Sequence, residues 1–121
     1  RRADSLRDKA ILAVEQVLAE GIAFDAIYAQ SDSMAAGARA ALRKRGIDPA
    51  SIPTVGIDYI AEARDAIRAG KQDASFLYPT FAEEGADAAL RILRGEPVPR
   101  EIVVESKKIT RDNVERIEPI F

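Results

Sequence analysis

Four glycines divide the chain at a nearly constant interval of about 25 residues. Each one follows a run of good helix formers, where a glycine in the left-handed conformation ends a helix. A short apolar segment comes after each glycine. The interval matches one strand, one helix and their loops, so the pattern predicts a regular alternation of the two. The four residues are Gly21, Gly46, Gly70 and Gly95.

The segments before the glycines carry apolar residues at helical spacing, which predicts helices. These predicted helices cover residues 4–20, 33–45, 60–69 and 81–94. The segments after the glycines are almost continuously apolar, which is typical of strands buried on both faces of a parallel sheet. These predicted strands cover residues 24–29, 53–57, 74–78 and 102–104.

Alternating strands and helices indicate the α/β class. The expected architecture is an open parallel sheet with right-handed crossovers and helices on both faces, as in flavodoxin-like and Rossmann-like domains. A length of 121 residues suits one domain covering residues 1–121. A helical repeat protein is the rival interpretation of the interval. No repeated motif lies inside the units, which favours the sheet.

The composition excludes several function classes. The chain has no Cys and no His, which removes thiol nucleophiles, imidazole bases and Cys/His zinc sites. An enzyme of this composition would have to rely on carboxylates, Lys, Tyr or a cofactor. We expect no enzyme activity, no metal and no cofactor. A net charge of −2 argues against a nucleic-acid surface. The turn at Gly56 lacks the further glycines that a dinucleotide-binding loop needs.

Ligands of open α/β sheets bind beyond the carboxyl ends of the strands. After the first predicted strand come the polar residues Gln30, Ser31, Asp32 and Ser33. One interpretation is that they cap the following helix. The other is ligand contact at a helix N-terminus, where free amides attract polar groups. Both can hold together.

The next two strands also end in residues suited to a polar ligand. Asp58 either caps the helix that follows or accepts hydrogen bonds from two adjacent hydroxyls of a sugar. Tyr78 either closes the edge of the core or stacks on a sugar face and donates its hydroxyl.

Several stretches, taken together and in order, resemble the type I periplasmic binding protein family. That family includes ribose-binding proteins and the effector domains of LacI/GalR repressors. The resemblance implies a lobe of a two-lobed protein that closes around a sugar or related polyol in the periplasm. It also implies a membrane permease or a sensor kinase as partner. The matching stretches are 25–38, 55–58, 63–70, 74–76 and 109–114.

The resemblance also assigns roles at the strand ends. Ser31 stands where the family usually has an Asn that reaches the sugar, and Asp58 matches the aspartate that grips sugar hydroxyls. Tyr78 stands where ribose-like members often have Gln, and the Tyr-Pro-Thr sequence there resembles members that serve as sensors. The expected ligand-binding residues are Gln30, Ser31, Asp32, Asp58 and Tyr78.

The chain opens with Arg1-Arg2-Ala3-Asp4 and no initiator Met, which we interpret as a fragment of a longer protein. The resemblance places it in the C-terminal lobe, without that lobe's first strand–helix unit. The apolar face of the helix predicted at 81–94 would then be bare. We expect it to dock back on the chain, or two copies to pair or exchange elements as a homodimer.

Two other functions remain as alternatives. The first is the effector-binding core of a LacI-type repressor, which has the same fold and pocket. The second is a response-regulator-like or enzymatic domain of flavodoxin-like topology. That function would need an acidic cluster and a Lys at the end of a later strand. Asp32 and Asp58 end strands, but no such Lys follows.

Overall fold

A computed structural model describes all 121 residues of the chain. Its helices are α1 (Arg7–Ala19), α2 (Asp32–Lys44), α3 (Ala61–Arg68) and α4 (Ala82–Leu93), with a short 3₁₀ turn at Pro49–Ser51. Its strands are β1 (Ile27–Tyr28), β2 (Thr54–Asp58), β3 (Ala74–Leu77) and β4 (Lys108–Thr110). No helix has the length and apolar character needed to cross a bilayer.

The four glycines end the helices as predicted. Gly21, Gly46, Gly70 and Gly95 have φ angles of 67°, 73°, 66° and 72°, which glycine adopts without steric cost. All four helices begin and end within three residues of the predicted bounds.

One sheet with the order β1-β2-β3-β4 forms the centre of the molecule. Strands β1, β2 and β3 are parallel, and helices α2 and α3 connect them in turn. The α/β class with an open, mostly parallel sheet flanked by helices is therefore confirmed. Strand β1 has two residues instead of the six predicted, because it lies at the edge and pairs with β2 alone.

The predicted fourth strand at 102–104 is wrong. Val103 is 83% exposed, whereas Ile109 is fully buried and pairs with Ser75 in an antiparallel β4. The sheet is therefore not wholly parallel. Lys108-Ile109-Thr110 alternates polar and apolar residues, which is the pattern of a strand that buries one face only. The apolar run at 102–104 does not share that pattern and stays outside the sheet.

The two faces of the sheet differ in burial. On the face that meets the start of α2, Thr54, Ser75 and Ile109 are each fully buried. On the opposite face Tyr28 is 66% exposed and Phe76 is 38% exposed. Residues paired across a sheet point to the same side, so the registers of β1 to β4 define these two faces.

The most buried apolar cluster lies beside α3. It contains Tyr59, Ile67, Ile109 and Val114, none more than 2% exposed. On the far side of α2, helix α1 packs closely because Gly37 has no side chain. A Cβ there would lie 2.5 Å from the backbone oxygen of Arg7.

Helix α4 contrasts with the other three helices. None of its residues is buried, and Leu93 is 83% exposed. The expectation that this helix docks back on the chain is therefore wrong, since its apolar side finds no surface of the chain to cover it. Pairing of two copies stays a prediction.

Candidate functional site

The carboxyl ends of β1, β2 and β3 lie side by side. The Ala29 N–H donates to the Val55 oxygen at 2.9 Å, which places the end of β1 beside β2. The Tyr78 N–H donates to the Asp58 oxygen at 3.2 Å, which joins the ends of β2 and β3. The three polar segments expected at the strand ends therefore occupy one edge of the sheet.

Helix α2 begins at this edge with a side-chain cap. Ser31 accepts a hydrogen bond from the Met34 N–H at 3.2 Å, so the capping interpretation is confirmed for this residue. Gln30 precedes it, is exposed and also borders a groove along β1. Ser31 keeps part of its surface exposed and lies at the positive end of the helix dipole.

Asp32 lies in the interior, and only 1% of it is exposed. Its Oδ2 accepts from the Tyr59 N–H at 2.7 Å and from the Ser75 hydroxyl at 2.6 Å. Its Oδ1 accepts from the Gln72 amide at 2.7 Å. These protein donors occupy both carboxylate oxygens, so the structure revises the expectation that Asp32 contacts a ligand directly.

Asp58 ends β2 in an unusual backbone conformation. Its φ is 106° and that of Tyr59 is 63°, both in a region that side chains other than glycine rarely adopt. Such residues persist only where the surrounding structure determines them, and they concentrate at functional sites. Helix α3 starts after Ile60 without a side-chain cap, so the capping alternative for Asp58 is wrong.

The electrostatic surroundings of the Asp58 carboxyl group are also unusual. Burial raises its pKa above the ordinary value of 3.8, and the negative charge of Asp32 raises it further. The backbone N–H of Asp32 acts in the opposite direction. Asp58 is thus a partly desolvated carboxylate beside the first turn of α2. Such a group gains more than a fully hydrated one from a hydrogen-bonding ligand.

The end of β3 provides aromatic surface. Tyr78 is 57% exposed, and its ring meets that of Phe81 edge to face with centroids 6.3 Å apart. Phe81 also has a positive φ, of 57°. Tyr78 therefore does not close the core, and both rings are accessible at the edge where Asp58 lies.

Sequence reasoning missed the side chains that support this edge from below. Gln72 and Arg39 are almost fully buried, and Arg39 donates to Gln72, which in turn donates to Asp32. Ser75 completes the set from β3. Two features of the sequence could have indicated these residues: Ser75 interrupts an apolar strand, and Arg39 interrupts a stretch of small residues on α2.

A large cavity lies elsewhere, between α1 and the free edge of β1. It has a volume of about 790 Å³, and 12 of its 17 lining residues are hydrophobic, Val14, Val17 and Phe24 among them. Its mostly hydrophobic lining offers a polyhydroxylated ligand few replacements for the hydrogen bonds that the ligand makes to water. No group of Asp or Glu side chains is arranged to hold a metal ion.

Comparison with known sequences identifies relatives of the chain. A family model described as "Periplasmic binding protein domain" matches residues 2–97. A Rhizobium meliloti protein named for rhizopine binding is 37% identical over 99 residues, which are 80% of this chain and 32% of that protein. A xylitol-binding protein of Mycolicibacterium smegmatis is 31% identical over 112 residues, or 90% of this chain and 32% of that protein.

A transcriptional regulator also matches. GalR of Escherichia coli, a helix-turn-helix regulator, is 32% identical over 100 residues, which are 82% of this chain and 29% of that protein. The chain thus spans about a third of the length of these curated relatives.

A solved structure supports the same relationship. A Mycobacterium smegmatis protein in complex with β-D-fucofuranose superposes with a TM-score of 0.87 and 26% identity, over 95% of this chain and 38% of that one. The family model covers most of the chain, and the fold and the relatives agree with it. The chain belongs to the periplasmic binding protein family.

Proposed function

We propose that this chain is part of the C-terminal lobe of a periplasmic solute-binding protein and supplies half of a binding cleft for a sugar or polyol. Asp58, Ser31, Gln30 and Tyr78 contact the ligand, and no catalysis takes place. The protein acts in the periplasm by hinge closure of two lobes, and it delivers the bound solute to a membrane permease or reports it to a sensor kinase.

The conformation of Asp58 is the observation that supports this proposal most strongly. A carboxylate that is half-buried, fixed on a turn of positive φ and located where three strands end is suited to accept two hydrogen bonds at once. Two adjacent hydroxyls of a sugar provide such a pair of donors.

The neighbouring groups suit the same class of ligand. The exposed Tyr78 and Phe81 rings offer an apolar surface to the C–H face of a sugar ring. Ser31 and Gln30 add a hydroxyl and an amide that can each donate and accept. Sugar and polyol ligands in the names of relatives and solved structures agree with this choice.

A second candidate function is the effector-binding domain of a LacI-type repressor. The match to GalR favours it, and the same strand ends would bind the effector. A helix-turn-helix upstream in the natural protein would identify this function, whereas a signal peptide would identify the solute-binding one.

Calorimetric titration of the natural full-length protein tests the binding proposal. The panel consists of D-ribose, D-fructose, xylitol and myo-inositol at millimolar concentrations. We expect saturable binding of at least one compound, abolished by Asp58→Ala. The matched control is Asp48→Ala, because Asp48 accepts a hydrogen bond from the Ala50 N–H in the loop that precedes β2, away from the strand ends. Absence of binding across the panel, or equal loss in both variants, would contradict the proposal.

A further inference from the structure

We infer that Asp32 is a positioning residue: its buried carboxylate fixes the Asp58–Tyr59 turn so that the Asp58 carboxylate faces the binding cleft. This inference rests on the proposed function for the role of Asp58. It assigns Asp32 no ligand contact of its own.

The hydrogen bonds of the Asp32 carboxylate support the inference first. The Tyr59 N–H is the backbone donor that follows Asp58, and it donates to Asp32 Oδ2 at 2.7 Å and to Ser75 Oγ at 3.1 Å. Ser75 in turn donates to the same Asp32 oxygen at 2.6 Å. Two side chains, one from α2 and one from β3, thus meet at the backbone amide that follows β2.

The backbone strain of the turn is the second observation that supports the inference. Asp58 and Tyr59 are consecutive non-glycine residues with positive φ, so both carry a conformational cost. A charge-assisted hydrogen bond to a buried carboxylate is among the stronger interactions that can offset this cost. The Tyr59 side chain anchors the other end of the turn, since its hydroxyl donates to the Ile117 oxygen at 2.8 Å.

The glycine in β2 is the third observation that supports the inference. Gly56 lies beneath the Asp32 carboxylate, and a Cβ at that position would overlap Asp32 Oδ1 and lie 3.0 Å from Gln72 Nε2. The strand therefore leaves room for this carboxylate. Gln72 holds the carboxylate through Oδ1, and Arg39 holds Gln72.

Asp32→Asn is the variant that tests the inference. An Asn keeps the shape of the side chain but removes its charge, so the hydrogen bond from the Tyr59 N–H loses its charge assistance. The Asn amide group also faces either the Gln72 amide or the two donors on Oδ2, and the hydrogen bonds on that side are lost. We expect hydrogen exchange of the Tyr59 amide to accelerate about tenfold or more, which corresponds to the loss of one charge-assisted hydrogen bond. Ser75→Ala keeps the Asp32 charge and should accelerate the same amide to a lesser extent.

Asp48→Asn is the matched control for exchange, because its carboxylate also accepts a backbone N–H but lies on the loop before β2. These measurements need no ligand, so they decide the inference even if no compound of the panel binds. Exchange at Tyr59 that is unchanged in both Asp32→Asn and Ser75→Ala would overturn it.

Affinity for D-ribose, D-fructose, xylitol and myo-inositol separates positioning from mere stability. At a temperature where every variant is fully folded, Asp32→Asn should weaken binding of the responding compound about tenfold. In an Asp58→Asn background Asp32→Asn should weaken binding much less, because Asp32 affects affinity only by positioning the Asp58 carboxylate. Equal costs in both backgrounds, or a loss of melting temperature with unchanged affinity, would contradict a positioning role.

Discussion

The ends of β2 and β3 show two ways to build an unusual backbone turn. At the end of β2, Asp58 and Tyr59 have positive φ, and Tyr59 is fully buried with its amide bonded to Asp32 and Ser75. At the end of β3, Phe81 also has positive φ but is 41% exposed. Interior hydrogen bonds thus determine the first turn, whereas at the second turn the Phe81 ring lies at the surface and contacts the Tyr78 ring.

The difference in burial indicates that the two turns contribute to the site in different ways. A rigid carboxylate reduces the entropy that ligand binding would otherwise cost. At the end of β3 the exposed aromatic pair and the uncovered helix α4 have no such interior contacts.

The largest expected difference between the two regions is in the free energy of unfolding after one methyl group is added to each. Gly56→Ala places a Cβ against the buried Asp32 carboxylate and should lower the free energy of unfolding by about 3 kcal/mol. Gly85→Ala on α4 meets no atom within 4 Å and should raise it by about 0.5 kcal/mol. Urea denaturation of both variants measures the two values. Equal effects would show that the β2 turn is no more constrained than α4.

A smaller effect is expected from removing one hydroxyl at each strand end. Tyr59→Phe loses the hydrogen bond to the Ile117 oxygen in the interior, which should cost about 1.5 kcal/mol. Tyr78→Phe removes an exposed hydroxyl and should leave stability unchanged within about 0.5 kcal/mol. Thermal unfolding of the pair gives the comparison. A larger loss of stability in Tyr78→Phe than in Tyr59→Phe would contradict the view that the end of β2 is the more constrained of the two.

The smallest expected effect is a dependence of stability on pH at Asp58. Because the pKa of Asp58 in the folded protein lies above the ordinary 3.8 of the unfolded chain, the folded state binds this proton more tightly. The free energy of unfolding therefore falls as pH rises between the two pKa values and stays lower above them. Asp58→Asn removes this titration, and Asn tolerates positive φ.

Asp58→Asn should therefore melt at a higher temperature than the natural sequence at pH 7, and the difference should shrink as the pH falls toward 3.8. Melting curves across this range, measured without ligand, test the sign. A variant that is less stable at pH 7 and gains relative stability on acidification would contradict a raised pKa.

The sequence allowed much of the fold to be predicted and less of the site. The helix ends at Gly46 and Gly70 follow from local backbone preference, so they needed no tertiary information. Strand β4 was misplaced because the apolar run near Val103 was stronger than the single buried Ile109. The alternation at Lys108–Thr110 fits a half-buried strand but spans only three residues, and its burial depends on pairing with β3.

Some residues of the site were likewise predictable from the sequence, and others were not. Topology alone placed Asp58 and Tyr78 at one edge, because parallel strands share a carboxyl end. The role of Asp32 was not predictable, since a capping position and a ligand position share the same sequence signal. Its hydrogen bonds to residues 27, 40 and 43 positions away exist only in the folded chain.

The central claim is that the ligand binds at the strand ends and not in the groove along β1. Amide chemical shifts of the ¹⁵N-labelled full-length protein, followed during titration with D-ribose, D-fructose, xylitol and myo-inositol, test it most directly. We predict saturable shifts confined in this region to residues 30–33, 58–59 and 78–81. Shifts concentrated at Val14, Val17 and Phe24, with the Asp58 and Tyr59 amides unmoved, would contradict the account.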